Sequence, residues 1–217
     1  MRLVLLCAVI VGIALPAAAQ ERPFLFVTTP GEQVRPSARF DYDVGIGERA
    51  FQSDIANQPE QRIGMQASRG RLTLVARFGI ADVGSSYQSS QTAEALYSMF
   101  EPGRPVALAA GGGVLHEAGG VNVLLARVVA GRNTDSSRLY GNLQLQKPMS
   151  SERDALDLIT SIGWARKLSH GVSIGVEAIG EDLEGFWDPQ EAEGGTRLLA
   201  GPSLHLAIRG RSSLLST

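Results

Sequence analysis

The chain has 217 residues and a formal net charge of −2, with 44% hydrophobic and 19% charged residues. That balance argues against a disordered chain, and the length suits one sheet-based domain with a sizeable core. Twenty basic residues stand against 22 acidic ones, so the massed positive field that phosphate binding needs is missing and no nucleic-acid partner is expected.

The first element in the chain reads as a secretory signal peptide over residues 1–19. Arg2 gives the positive start, 3–15 is an apolar stretch too short to span a bilayer, and Ala17-Ala18-Ala19 after Pro16 is a small-residue cleavage site. The single cysteine, Cys7, lies inside this stretch. The exported chain is therefore expected to carry no disulfide, no thiolate nucleophile and no cysteine metal site. Residues 20–35 follow as an N-terminal periplasmic lead segment.

From residue 36 onward, polar and apolar side chains alternate in segments of about ten residues, broken by Gly, Asp, Asn, Ser and Pro clusters. Strands are predicted at 36–47, 61–69, 71–81, 86–100, 104–116, 120–131, 138–147, 155–168, 171–182 and 195–208. In the first, Arg39, Asp41 and Asp43 alternate with Phe40, Tyr42 and Val44. The third sets Thr73 and Arg77 against Leu72, Leu74 and Phe78. Residues 92–100 have helical propensity but alternating neighbours, and read as strand. Segments 104–116 and 120–131 are apolar on both faces. Further on, Asn142, Gln144 and Gln146 oppose Leu143 and Leu145, while Ser173, Gly175 and Glu177 oppose Ile174 and Val176. In the last segment Arg197, Ser203 and His205 oppose Leu198 and Leu204. This segment is expected to pair with both 171–182 and 36–47. Residues 209–217 are a C-terminal tail with too little alternation for a spanning strand.

Turns such as Ser68-Arg69-Gly70-Arg71 and Leu168-Ser169-His170-Gly171 make the strands antiparallel hairpins. A sandwich hides its apolar faces, whereas a membrane barrel turns them to lipid and keeps the polar phase inside. Here the segments are long, the polar phase carries mid-strand charges of both signs, and the apolar phase is nearly free of charge. Together these predict an all-β, antiparallel up-and-down transmembrane β-barrel of about ten strands over 36–208. The first, third, seventh and ninth connections are longer and the second, fourth and eighth tight, which puts the N-terminus on the periplasmic side. The fifth is shorter and the sixth longer than this parity asks.

The signal peptide, the alternation over 36–208 and the run Gly194-Gly-Thr-Arg-Leu-Leu-Ala-Gly-Pro-Ser-Leu-His-Leu-Ala207 are carried together. In these the chain resembles bacterial outer-membrane β-barrel proteins as a broad class. The resemblance implies residence in the bacterial outer membrane after cleavage near Ala19, with the lipid bilayer and the barrel-assembly machinery as partners. It also implies a structural, adhesive or narrow-pore transport role. The chain departs from the class in ending without a terminal aromatic residue, and Pro202 lacks the N–H an interior strand donates. A soluble periplasmic lipocalin-like barrel or β-sandwich holding a small ligand is the rival reading.

Candidate functional residues fall into three groups. Arg39, Arg62, Arg77, Arg127 and Arg197 with Asp41, Asp43, Glu94, Asp157 and Glu177 are lumen charges expected to pair and fill a small interior. Tyr42, Tyr87, Phe100, Trp164, Phe186 and Trp187 are aromatics for the membrane interface. Asp41, Asp43 and His205 are weak candidates for an outer-membrane hydrolase, with no accompanying Ser or carboxylate motif, and the chain is expected not to be an enzyme. Gly111-Gly112-Gly113 lacks the Lys-Ser/Thr ending of a phosphate loop and reads as strand glycine. The acidic run 177–193 reads as a solvated loop, and His116, His170 and His205 lack zinc spacing. No metal or cofactor is predicted.

Overall fold

A computed structural model describes residues 18–19, 22–31, 35–45, 60–82, 87–117, 120–150, 156–169, 171–181, 197–208 and 212–216. The alternating segments become strands β2 (Ser37–Gly45), β3 (Glu60–Arg69), β4 (Leu72–Asp82), β5 (Tyr87–Ser98) and β6 (Val106–His116). They continue as β7 (Asn122–Asn133), β8 (Ser137–Pro148), β9 (Asp157–Ser169), β10 (Val172–Glu181) and β11 (Arg197–Ile208). A two-residue β1 (Ala18–Ala19) precedes them and a short β12 (Ser212–Ser216) follows.

Sheet order is sequence order. Strands β2 to β12 form an antiparallel up-and-down sheet curled into a half-barrel, and β1 adds a parallel rung on Ser37 and Ala38. Gly70, at φ +58°, allows β3 and β4 to be joined across residues 70–71 alone, because a tight hairpin needs left-handed backbone there. One end of the sheet carries the connections 46–59, 83–86, 117–121, 149–156 and 182–196; the other carries 70–71, 99–105, 134–136 and 170–171. The sixth connection, 134–136, is thus tight after all, and the fourth, 99–105, is the longest at its end.

Alternation turns into two chemically distinct faces. On β7, Val123, Leu125, Arg127 and Val129 are buried while Leu124 and Val128 are exposed. Around the sheet the outward face presents Phe40, Ile63, Tyr97, Val114, Leu143, Ile162, Val176 and Leu204. One patch on that side, Met65, Ala67 and Ala76 with Leu74, is buried. The inward phase carries Asp43, Glu94, Arg127, Asn142, Gln144 and Glu177, all buried.

Three expectations are corrected. Residues 212–216 of the tail do form a strand, pairing Leu204↔Ser216 through Ile208↔Ser212, because an edge strand needs only a free ladder to add five rungs. The second neighbour of β11 is therefore β12 and not β2, whose own second neighbour is β1. Finally, residues 22–31 of the lead segment are not ahead of the barrel but inside the curl of the sheet. Phe24, Val27, Thr28 and Thr29 are nearly solvent-free there.

That segment completes the core. Phe24 and Val27 cluster with Leu96, Ala109, Val129, Tyr140 and Ala165. The Phe24 and Tyr140 rings meet edge-on, centroids 6.2 Å apart at 61°, a favoured aromatic geometry. The Phe24 ring lies directly over Gly163, where even a Cβ would stand 2.6 Å from it. Tyr140 accepts a hydrogen bond of 2.8 Å from the Asn133 amide through its hydroxyl. Tyr140→Phe should cost about 1 kcal/mol in denaturant unfolding, a loss that unchanged stability would contradict.

Candidate functional site

The interior is built from the polar phase of β2–β5 and β7–β10 and from residues 22–31. At the lower-numbered end of the segment, Arg22 reaches Asp43 at 2.5 Å and Asp41 at 3.8 Å. Arg62 shares Asp43 at 2.9 Å, and Arg39 holds Asp41 at 3.0 Å and the Gln66 amide oxygen at 3.0 Å. Cross-strand register explains the Arg62 contact, since Asp43 pairs directly with Arg62.

A second cluster lies across β4, β5, β7 and β8. Glu94, with a fully buried side chain, receives Arg127 at 2.7 and 3.1 Å and Arg77 at 3.1 Å. Two further Arg127 donors go to Asn142 at 3.1 Å and to Gln144. Arg77 spends another donor on the Thr28 hydroxyl at 2.9 Å, which ties the ion cluster to the inserted segment. Such burial is tolerable because each charge is paired and further donors of both guanidinium groups are taken up by neutral oxygens.

The main chain of the segment makes no ladder with any strand and is held by side chains instead. The Leu25 and Phe26 amides donate to the Glu177 carboxylate at 2.9–3.0 Å. Asn142 accepts from the Thr28 amide at 2.8 Å and donates to the Thr28 carbonyl at 2.9 Å. Gln66 donates to the Thr29 carbonyl at 2.9 Å, and the Gly31 amide donates to the Thr73 hydroxyl at 2.9 Å. Leu25 is touched from both β10 and β3, as Arg62 donates to its carbonyl at 3.5 Å. Strands seven places apart in the sheet thus converge on one residue.

Towards the longer connections lies a cavity of about 130 Å³ lined by Glu60, Arg62, Arg77, Gln88, Glu94, Glu117, Arg127 and Gln146. Charges of both signs line it, and the ion clusters form one of its walls.

Arg39, Asp41, Asp43, Arg62, Arg77, Glu94, Arg127 and Glu177 are all brought to this interior. Asp157 begins β9 in the same inward phase, half-buried. Arg197 is placed at the start of β11, but its side chain lies outside the described residues. Of the hydrolase candidates, Asp41 and Asp43 are ion-paired with guanidinium groups, and His205 is buried on β11, far from β2 in the sheet order. Gly111 and Gly113 sit within β6, where added Cβ atoms would run into the Ala95 and Ala93 carbonyls of β5. They are strand glycines.

Of the interface aromatics, Tyr42, Tyr87 and Trp164 are exposed on the outward side and Phe100 is exposed in the 99–105 connection near Pro30 and Gly31, while Phe186 and Trp187 lie outside the described residues, as does His170. Tyr42 and Tyr87 stand towards the end with the longer connections, and Phe100 follows β5 at the opposite end. The outward aromatics Phe40 and Tyr97 join them unannounced. In the 70–71 turn, Arg71 meets Glu101 at 2.6 Å, and hydrogen bonds to Glu101 and Tyr97 raise its basicity further. Sequence reasoning missed Arg22, Asn142 as a backbone clamp, and the whole of 22–31. The apolar run Phe24-Leu25-Phe26-Val27 was the available signal.

Comparison with known protein families, with curated proteins and with solved structures finds no match.

Proposed function

We propose that the chain is a β-barrel protein of the bacterial outer membrane, occluded from within by residues 22–31 and serving a structural or adhesive role. The observation that carries this reading is the inversion of the two sheet faces. Large apolar side chains are exposed on nearly every strand from β2 to β11, whereas Asp43, Glu94, Arg127 and Glu177 are buried inside. A soluble protein rarely exposes so continuous an apolar surface. Lipid suits that apolar face, and the antiparallel ladders satisfy the backbone of the strands between the two sheet edges. Removal of residues 1–19 takes away β1 and leaves the antiparallel strands intact.

Expressed in a Gram-negative host, the full-length chain should sediment with outer membranes and show heat-modifiable mobility on gels. Recovery in the osmotic-shock fluid would favour the soluble periplasmic alternative. In planar bilayers the wild-type protein should give no stable large conductance, because the segment and the ion clusters fill the lumen. A large, steady single-channel current would favour a porin.

A further inference from the structure

The way residues 22–31 are held has a consequence beyond occlusion. Their contacts with the sheet are mostly made through main-chain groups: Glu177 on two successive amides, Asn142 on both polar groups of Thr28, Gln66 on the Thr29 carbonyl and Thr73 on the Gly31 amide. Every residue except proline offers these groups. A side chain that accepts from N–H and donates to C=O of one residue reproduces the pairing a neighbouring strand would supply. Side-chain identity is read at four points: Arg22 on Asp43 and Asp41, the Phe24 ring over Gly163 and against Tyr140, Val27 in the apolar cluster, and the Thr28 hydroxyl on Arg77. None of these contacts uses the covalent link to β2.

We propose that the interior of the half-barrel is a peptide-binding site for an extended polypeptide segment. The sequence it takes carries a basic residue, an aromatic one two positions later, and a β-branched one three positions beyond that followed directly by a hydroxyl residue. Residues 22–31 are its resident occupant in cis, and the partner in trans is an extended segment of another chain. The site stands on the sheet and the segment alone, whether or not lipid covers the outside.

The test uses the full-length protein and a fluorescein-labelled synthetic peptide of residues 22–31, read by anisotropy. Wild type should take up little, because its own tethered segment is present at high effective concentration. The full-length Phe24→Asp/Val27→Asp variant, which weakens only the occupant, should bind one peptide per chain. A peptide N-methylated at Phe26 and Thr28 should bind at least about tenfold more weakly, since it lacks amides that Glu177 and Asn142 receive. Leu25→Pro, which deletes another amide donated to Glu177, is a second way to loosen the occupant without touching the wall. The proposal is overturned by a folded variant that takes up no peptide, or by equal binding of the N-methylated peptide. It is overturned equally if neither variant folds, because the segment is then a fixed part of the core.

Discussion

Glu94→Gln should cost about 3–5 kcal/mol of unfolding free energy, the loss expected when one partner of a buried ion cluster is removed. Glu94 is the single carboxylate between two guanidinium groups, receiving Arg127 at 2.7 Å and Arg77 at 3.1 Å while its side chain has no exposed surface. Arg127 is 8% exposed and Arg77 21%, so water compensates only weakly for the missing charge, least at Arg127. With glutamine in place, two like charges face one another across a neutral amide whose NH₂ has no acceptor among them. The damage should spread to the inserted segment, because Arg77 also anchors the Thr28 hydroxyl and Arg127 the Asn142 amide that clamps Thr28. Adding Arg127→Met to Glu94→Gln removes one of the stranded cations and should bring stability part of the way back. Urea unfolding of the refolded protein measures both. If Glu94→Gln unfolds at the wild-type midpoint, the cluster is solvated and the interior is not packed as described.

Most of the strands were legible because two independent signals agreed there; 104–116 and 120–131, apolar on both faces, rested on their flanking turns alone. On β8, the alternation of Asn142, Gln144 and Gln146 with Leu143 and Leu145 marks the two faces, and turn residues on either side mark the ends. The same alternation placed Glu94, Arg127 and Glu177 on the inward face. It could not pair them, since pairing depends on register across strands and on curvature: Glu94 and Arg127 are separated by β6 in the sheet. The segment 22–31 escaped for a different reason. Its main chain is satisfied by Glu177, Asn142 and Gln66, residues distant in sequence, and such bonding leaves no period in the segment itself. Without a period, an apolar run before the first strand reads as a leader. The tail was underestimated because Ser212–Ser216 has only Leu214 and Leu215 to offer. Its five rungs come from the free ladder of β11 and owe little to its own propensity.

The second large effect concerns the outward face. Leu143→Arg or Ile174→Arg should cost about 2–4 kcal/mol if these positions lie near mid-bilayer, the penalty for a guanidinium facing lipid in a membrane barrel. Both side chains are over 40% exposed, Leu143 at 45% and Ile174 at 42%. In water, an arginine at such a position would be nearly neutral. The size of the loss therefore reports the solvent on that side. The inward comparison has to be chosen with care. Gln144, next to Leu143 in the chain, accepts from Arg127, so an arginine there would meet an existing guanidinium and be costly for reasons unrelated to lipid. Gln88 is the better control: it is half-buried and lines the cavity together with Glu60 and Glu117, which can receive a new cation. Gln88→Arg should fold with less than about 1 kcal/mol of loss. Folded fraction in lipid vesicles, scored by heat-modifiable mobility, and unfolding in urea should both separate the two faces. Equal tolerance of arginine at Leu143, Ile174 and Gln88 would mean that water bathes the outside of the sheet, and the outer-membrane reading would give way to a soluble barrel.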